Sequence, residues 1–192
     1  PGFLLGACNS WNHRGSKALN LTDGLNRIFF NNVASTTVHA LIQLGQLSEK
    51  VPTPLRNATV FNRALFWNMK REPSVLAAIT DAELQAWRSA LSALPLQMTP
   101  SEEPSLELVQ RELKQAAALC EHGLEKLQLA RLAGTGVLSP AKHRRRYTQL
   151  KTSQSSLINE HQALWRSRNR LGGLKESVAH LAVRLPDAPP NH

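Results

Sequence analysis

The sequence predicts a mainly α-helical fold, in which a short N-terminal strand remnant precedes an irregular helical bundle with a long αα-hairpin. Three observations predict it. Apolar residues recur at steps of three and four over most of the 192 residues, which is the spacing of one helix face. Prolines and glycines divide these stretches into segments of unequal length. Only residues 3–15 have another pattern, an apolar run that changes into small and then polar residues.

Composition limits the class of protein. Hydrophobic residues make up 42% of the chain, which suffices for a packed core. The apolar runs are far shorter than the roughly 20 residues of a membrane span, so we expect a soluble protein with no membrane partner, and the cytoplasm is slightly favoured. Cys8 and Cys120 lie in unrelated surroundings without a CxxC motif. The sequence therefore predicts no metal site, no cofactor and no disulfide framework.

The first segment has the pattern of a strand end. The apolar run Phe3–Leu5 leads through small residues to Trp11 and His13. A strand of a β/α barrel presents side chains at the barrel mouth in this way. Since no cap, charged lead or signal peptide precedes the run, we expect the chain to begin within a larger barrel.

The next two segments are predicted helices. Thr22 or Asp23 can cap a helix that continues to Leu47, and the prolines that follow end it. A shorter helix is predicted over residues 59–70, with Trp67 outside its apolar stripe. The expected buried stripe of the first helix consists of Leu25, Ile28, Phe29, Val33, Thr37, Ala40, Leu41, Leu44 and Leu47.

A capping box begins the following helix. Thr80 and Glu83 have the spacing at which each side chain bonds the backbone N–H of the other residue. Pro95 ends the helix. Its buried stripe is predicted to contain Leu84, Trp87, Leu91 and Leu94.

Two long helices then form the predicted αα-hairpin. The first covers residues 101–133 and ends at Gly134; the second starts with Ser139 as N-cap and Pro140 as its first residue, and continues to about Arg170. A last helix follows over 174–185. The expected apolar edges are Leu106, Val109, Leu113, Ala116, Cys120, Leu124 and Leu127 on the first helix, and Tyr147, Leu150, Gln154, Leu157, His161, Leu164 and Leu171 on the second.

Enzyme motifs are missing from the sequence. It contains no GxSxG, HExxH, GxGxxG or phosphate-binding glycine loop. Asp81 and Glu83 belong to the capping box, and the acidic residues from Glu102 to Glu112 suit the start of a helix. No pair of carboxylates follows a strand, so we predict no catalytic residue in this chain.

Two segments resemble a known family. Residues 4–11 resemble the late barrel strand of family-twenty glycoside hydrolases, the β-N-acetylhexosaminidases, in which a short run of small residues leads to a Trp that faces the sugar pocket. Residues 161–174 are similar to the helix-turn-helix that closes the C-terminal helical region of bacterial members. Both segments occur in the order that the family has, with a helical region between them.

The resemblance implies a domain plan and a substrate site. Residues 1–20 would be the remnant of the catalytic barrel, 21–185 a helical domain that buttresses the barrel or mediates a homodimer, and 186–192 a flexible tail. Trp11 would stack on the N-acetylhexosamine unit of a carbohydrate substrate, and His13 stands where the family often has a sugar-binding Glu. The catalytic Asp and Glu would lie upstream of Pro1. The parent protein would be a glycosidase, and this chain alone would be inactive.

Charge supports an alternative, a basic helical binding or scaffold module that contacts nucleic acid or a protein partner. The net charge is +9, and much of it lies between Lys142 and Arg146. Such residues on a long helix usually form a solvated face. Apart from Tyr147, no aromatic residue interleaves the basic run, which argues against nucleic acid because single-strand binders use stacking platforms.

Overall fold

The computed structural model describes residues 2–11, 14, 19–49, 59–66, 79–97, 102–134 and 136–182. These residues are predominantly helical and contain no strand, which confirms the mainly α class. No described helix combines the length and the apolar character that crossing a membrane needs. The helices are α1 (Gly2–Trp11), α2 (Leu21–Phe30), α3 (Ser35–Gln46) with a 3₁₀ turn (Leu47–Glu49), α4 (Val60–Phe66), α5 (Asp81–Ser92), α6 (Pro104–Gly134), α7 (Pro140–Arg168) and α8 (Leu174–Leu181).

The N-terminal strand prediction is wrong, because Gly2–Trp11 is the helix α1. Leu4 and Cys8 are one helical turn apart and both pack in a small core with Leu25 and Val38. Phe3 is 94% exposed. The segment therefore buries residues that are one helical turn apart, and not every second residue as a strand would. A short apolar run is compatible with either structure, and packing on α2 decides for the helix here.

The predicted helix from residue 22 to 47 is two helices. Asn31 and Asn32 both have positive φ, 47° and 65°, which ends α2, and the Asn26 side chain accepts from the Ala34 N–H at the start of α3. The N-cap of α2 is Asn20, whose side chain accepts from the Asp23 N–H, and not Thr22 or Asp23. The break also leaves part of the predicted stripe in solvent: Ile28, Phe29 and Val33 are exposed.

The capping box and its helix are confirmed. The Thr80 hydroxyl accepts from the Glu83 N–H at 3.2 Å, and the Glu83 carboxylate accepts from the Thr80 N–H at 2.6 Å. The hydrogen bonds that Thr80 donates to the Glu83 carboxylate lower the pKa of this group. The predicted stripe of α5 is buried, and Trp87 meets Phe61 of α4 edge to face with ring centroids 5.9 Å apart.

The long αα-hairpin is also confirmed. Gln115 of α6 donates to the Leu157 carbonyl of α7 at 2.8 Å, and Glu112 nearer the start of α6 pairs with Arg168 at the end of α7, so the helices are antiparallel. The Ser139 side chain caps α7, and Pro140 is its first residue. Leu171, predicted on the apolar edge, is 69% exposed.

Helix α6 is the centre of the main bundle, while α1 packs on α2 and α8 packs on α7 and α4. Helix α6 packs against α3, α4, α5 and α7. The approach of α4 is so close that a Cβ on Gly123 would lie 3.0 Å from the Leu65 amide nitrogen and 3.2 Å from the Phe61 carbonyl oxygen. The main core lies where α4, α5 and α6 meet, with Trp87, Leu124 and Leu127 fully buried.

Some sequence predictions lie outside the described residues. Trp67, His13, Leu185 and the predicted tail 186–192 are among them. The predicted domain bounds at residues 20 and 185 stay predictions.

Replacing Leu124 by Ala should lower the free energy of unfolding by about 2–5 kcal/mol, because this side chain is fully buried and its removal leaves a cavity. Leu171→Ala is the matched control, and we expect it to change stability by less than about 0.5 kcal/mol. Urea denaturation followed by circular dichroism measures both. Equal losses in the two variants would contradict the assignment of core and surface.

Candidate binding surface on helix α7

The two predicted sugar-binding residues do not form a described pocket. Trp11 is the last residue of α1, and His13 lies outside the described residues. Within the described part of the chain, no group of three His, Cys, Asp or Glu could hold a metal ion. The carbohydrate site therefore stays a prediction, and the strand that was expected to present it is a helix.

Charge is divided very unevenly along the chain. Residues 1–125 contain eleven Lys and Arg and eleven Asp and Glu, so their net charge is zero. Residues 126–192 contain twelve Lys and Arg but three Asp and Glu, and they hold the whole net charge of +9. Between residues 126 and 159 there is no acidic residue at all. This stretch includes the tip of the hairpin and the first two thirds of α7.

Three of the four carboxylates of α6 are paired with cations. Glu112 accepts two bonds from Arg168 at 2.7 and 2.8 Å. On the side of α5, Arg88 pairs with Glu121 at 3.8 Å and also with Glu125. Arg111 of α6 pairs in turn with Glu160, the acidic residue of α7, at 3.0 Å. These pairs offset Glu112, Glu121 and Glu125 of α6 and Glu160 of α7, while Glu107 and Arg166 are in no ion pair of the described residues.

Four cations of α7 form an unpaired surface, which we call the basic face: Lys142, Arg144, Arg145 and Lys151. All four side chains are exposed, and no ion pair of the described residues includes them. Arg146 in the same run is only half-exposed and lies 3.4 Å from the side-chain oxygen of Gln128 on α6. The basic run therefore separates into one residue that turns toward α6 and others that point to solvent.

The basic face projects from the bundle. Near the end of α6, Arg131 forms a salt bridge to Asp81 of α5 at 3.3 Å. From residue 131 to 149 no described residue is buried, and Leu150 is the first buried residue of α7. Ser139 and Pro140 give this end of α7 a regular start. A well-formed helix end thus carries Lys142, Arg144 and Arg145 ahead of the first buried residue of α7, and Lys151 directly follows it.

Lys126 of α6 is basic but does not belong to this surface. It is 2% exposed, and its Nζ donates to the Leu65 carbonyl at the end of α4 at 3.0 Å. Burial lowers its pKa to about 8. Its ammonium group joins two helices and is not accessible to a ligand.

A polar contact between α6 and α7 could suggest catalysis. His122 Nδ1 lies 3.2 Å from the Ser153 hydroxyl, beside a cleft of about 380 Å³ that Glu121, Glu125 and Arg146 also line. Burial lowers the pKa of His122 to about 4, so its ring is neutral at pH 7. Both side chains project from regular helices, and the contact joins the hairpin. Because the contact lies between two regular helices, we assign it a structural role.

Comparison with known families, curated proteins and solved structures finds no match. The function is therefore argued from the basic face alone.

Sequence reasoning found the basic run but not which of its members face solvent. It also missed the polar residues that α6 buries against its neighbours, Gln115, His122 and Lys126. The only sequence signal for them is their recurrence at steps of seven and four on one side of the helix, opposite the apolar edge.

The stability of the protein should rise between about pH 8 and pH 10.5 through Lys126. Its pKa is about 8 in the folded chain and 10.5 ordinarily, so in this range the unfolded chain binds more protons. Lys126→Met should lack this part of the rise. Urea denaturation of both proteins at several pH values measures the difference between their free energies of unfolding. Both proteins contain Cys120 and the other titratable groups, so the contributions of those groups cancel in the difference. Parallel pH profiles would show that Lys126 titrates normally.

Proposed function

We propose that this chain is a helical module that binds nucleic acid through the basic face of α7. The single observation that carries the proposal is a projecting helix end with four exposed cations and no carboxylate on the same stretch of chain. Phosphates along a nucleic acid backbone are the complementary ligand, because each neutralised phosphate releases condensed counterions.

Charge pairing elsewhere in the molecule supports the choice of this surface. Near the far end of the hairpin, Arg168 pairs with Glu112 and Arg111 pairs with Glu160, whereas the exposed Arg166 is in no ion pair of the described residues. The stretch that carries Lys142, Arg144 and Arg145 contains no acidic residue between residues 126 and 159, so the potential around these side chains is positive. An anionic polymer would be steered to that end first.

The scarcity of aromatic residues bears on the form of nucleic acid. Tyr147, the aromatic residue beside the basic run, is only half-exposed. Stacking platforms are a requirement of single-strand binders, whereas a duplex is held mainly by its phosphates. The scarcity of aromatic residues therefore argues against a single-stranded ligand and not against a duplex.

The glycosidase interpretation stays a prediction with less support. It depended on a strand at residues 4–11, and that segment is α1. Its test needs the longer protein that it supposes, assayed with a chromogenic N-acetylglucosaminide. Absence of turnover by that protein would remove the interpretation.

Replacing the four cations of the basic face by Gln should abolish most of the binding. For the unchanged chain, four phosphate contacts predict that affinity falls about 100-fold between 50 and 200 mM salt. Fluorescence anisotropy with a labelled mixed-sequence DNA of 20 base pairs measures both effects. We expect the variant K142Q/R144Q/R145Q/K151Q to bind at least tenfold more weakly at 50 mM salt.

A matched control removes the same charge from other exposed positions. Arg27, Lys114, Arg166 and Lys175 are exposed and lie off the basic face, so R27Q/K114Q/R166Q/K175Q should retain most of the affinity. If the two quadruple variants lose the same amount of binding affinity, the effect depends on net charge alone, and the proposal is overturned. Absence of binding by the unchanged chain at 50 mM salt would do the same.

A further inference from the structure

The exposed side of α7 has an ordered arrangement of residue types. At 100° per residue, Ala141, Thr148 and Ser155 lie within about 20° of one line along the helix. Arg144 and Lys151 lie about 40–60° to one side of this line, and Arg145 lies about 60° to the other. All six are exposed. A strip of small side chains is thus bordered by long cationic side chains on both sides.

From this arrangement we propose that the partner is double-stranded DNA and that the first half of α7 enters its major groove. The inference rests on the proposed function and specifies its ligand. Cations on both borders of a helix can reach the two phosphate backbones that bound a groove, while the strip between them faces the base edges. Small residues in the strip allow the helix axis to approach the bases closely.

The dimensions of α7 fit this partner. The major groove of B-form DNA is about 12 Å wide and admits an α-helix. Arg144 and Lys151 on one border of the strip are seven residues apart, which is about 10 Å along the helix. The cations therefore extend over a length comparable with the width of the groove. Because no residue from 136 to 149 that the structure describes is buried, the core does not block access to this end.

The chemistry of the strip suits base edges. Thr148 and Ser155 carry hydroxyls that can donate to or accept from either kind of base pair, and the methyl groups of Ala141 and Thr148 can contact the thymine methyl. In this structure the Thr148 hydroxyl donates to the Arg144 carbonyl at 3.0 Å, and the Ser155 hydroxyl donates to the Lys151 carbonyl at 3.1 Å. Both hydroxyl oxygens can still accept a hydrogen bond from a base.

Other anionic partners fit the arrangement less well. The major groove of A-form RNA is too narrow for a helix, and the strip has no aromatic side chain on which unpaired bases could stack. A disordered polyanion would use the cations but gain nothing from the small residues between them. Duplex DNA is the ligand that uses both features.

Direct competition tests the choice of ligand. The full chain is titrated with equal lengths of duplex DNA, duplex RNA, single-stranded DNA and heparin at 150 mM salt, and anisotropy gives each affinity. We expect duplex DNA to bind at least tenfold more tightly than the two other nucleic acids at equal phosphate concentration. Methyl green, which occupies the major groove, should compete with the protein.

A substitution in the strip tests the docking mode. Thr148→Phe puts a bulky ring at the centre of the strip without changing the charge, so it should weaken duplex binding at least tenfold and leave single-strand binding equal or stronger. Thr36→Phe is the matched control, because Thr36 is an exposed residue of α3 near the other end of the bundle. Circular dichroism and thermal melting of both variants confirm that they remain folded.

The outcomes separate this inference from the proposed function. Equal affinity for duplex RNA, single-stranded DNA or heparin, or a Thr148→Phe variant that binds duplex DNA normally, overturns the inference, even if the basic-face variant has lost binding. Failure of the basic-face variant to lose binding overturns the proposed function as well.

Discussion

The burial of α6 is the constraint on which the positions of the other helices depend. Its apolar edge, with Leu124 and Leu127, faces the core that α4 and α5 share. Its other side carries Gln115 and His122, which bond α7. Because α6 has neighbours on several sides, α7 packs along only one side of α6. The outer side of α7 stays exposed to water. Beyond Arg131, which pairs with Asp81 of α5, no residue of the hairpin up to residue 149 that the structure describes is buried.

This geometry also decides where the charge of the molecule acts. Each ion pair of α6 is at least partly exposed and contributes about 0–1 kcal/mol to stability at most. The larger effect of the pairs is to cancel the negative charge of α6 locally. Arg88 holds Glu121 and Glu125 on the α5 side, and Arg168 holds Glu112 at the far end. Residues 126 to 159 contain no carboxylate, so the positive charge of the basic face has no partner on its own stretch of chain.

The sequence predicts those features that depend on a residue and its near neighbours. The bonds of Thr80 with Glu83 and the start of α7 at Ser139 are of this kind, and both are confirmed. Features that depend on the neighbour across a contact were missed. The run that forms α1 is compatible with a strand until it packs on α2, and polar residues such as Lys126 look solvent-facing until α4 is placed over them. The break at Asn31 had a local signal, since Asn tolerates positive φ better than other residues with side chains.

The same distinction applies to the binding surface. The basic run is visible in the sequence, but its division into Arg146 beside Gln128 and Arg144 with Arg145 in solvent requires the position of α6. On the proposed interface the two kinds of residue have separate effects. The cations supply an affinity that depends on salt and is indifferent to base sequence. Thr148 and Ser155 can add discrimination of only about 1–3 kcal/mol for each good base contact. A face with four cations and two hydroxyls therefore favours broad DNA binding with modest sequence preference, because its electrostatic part far outweighs its part that can distinguish bases.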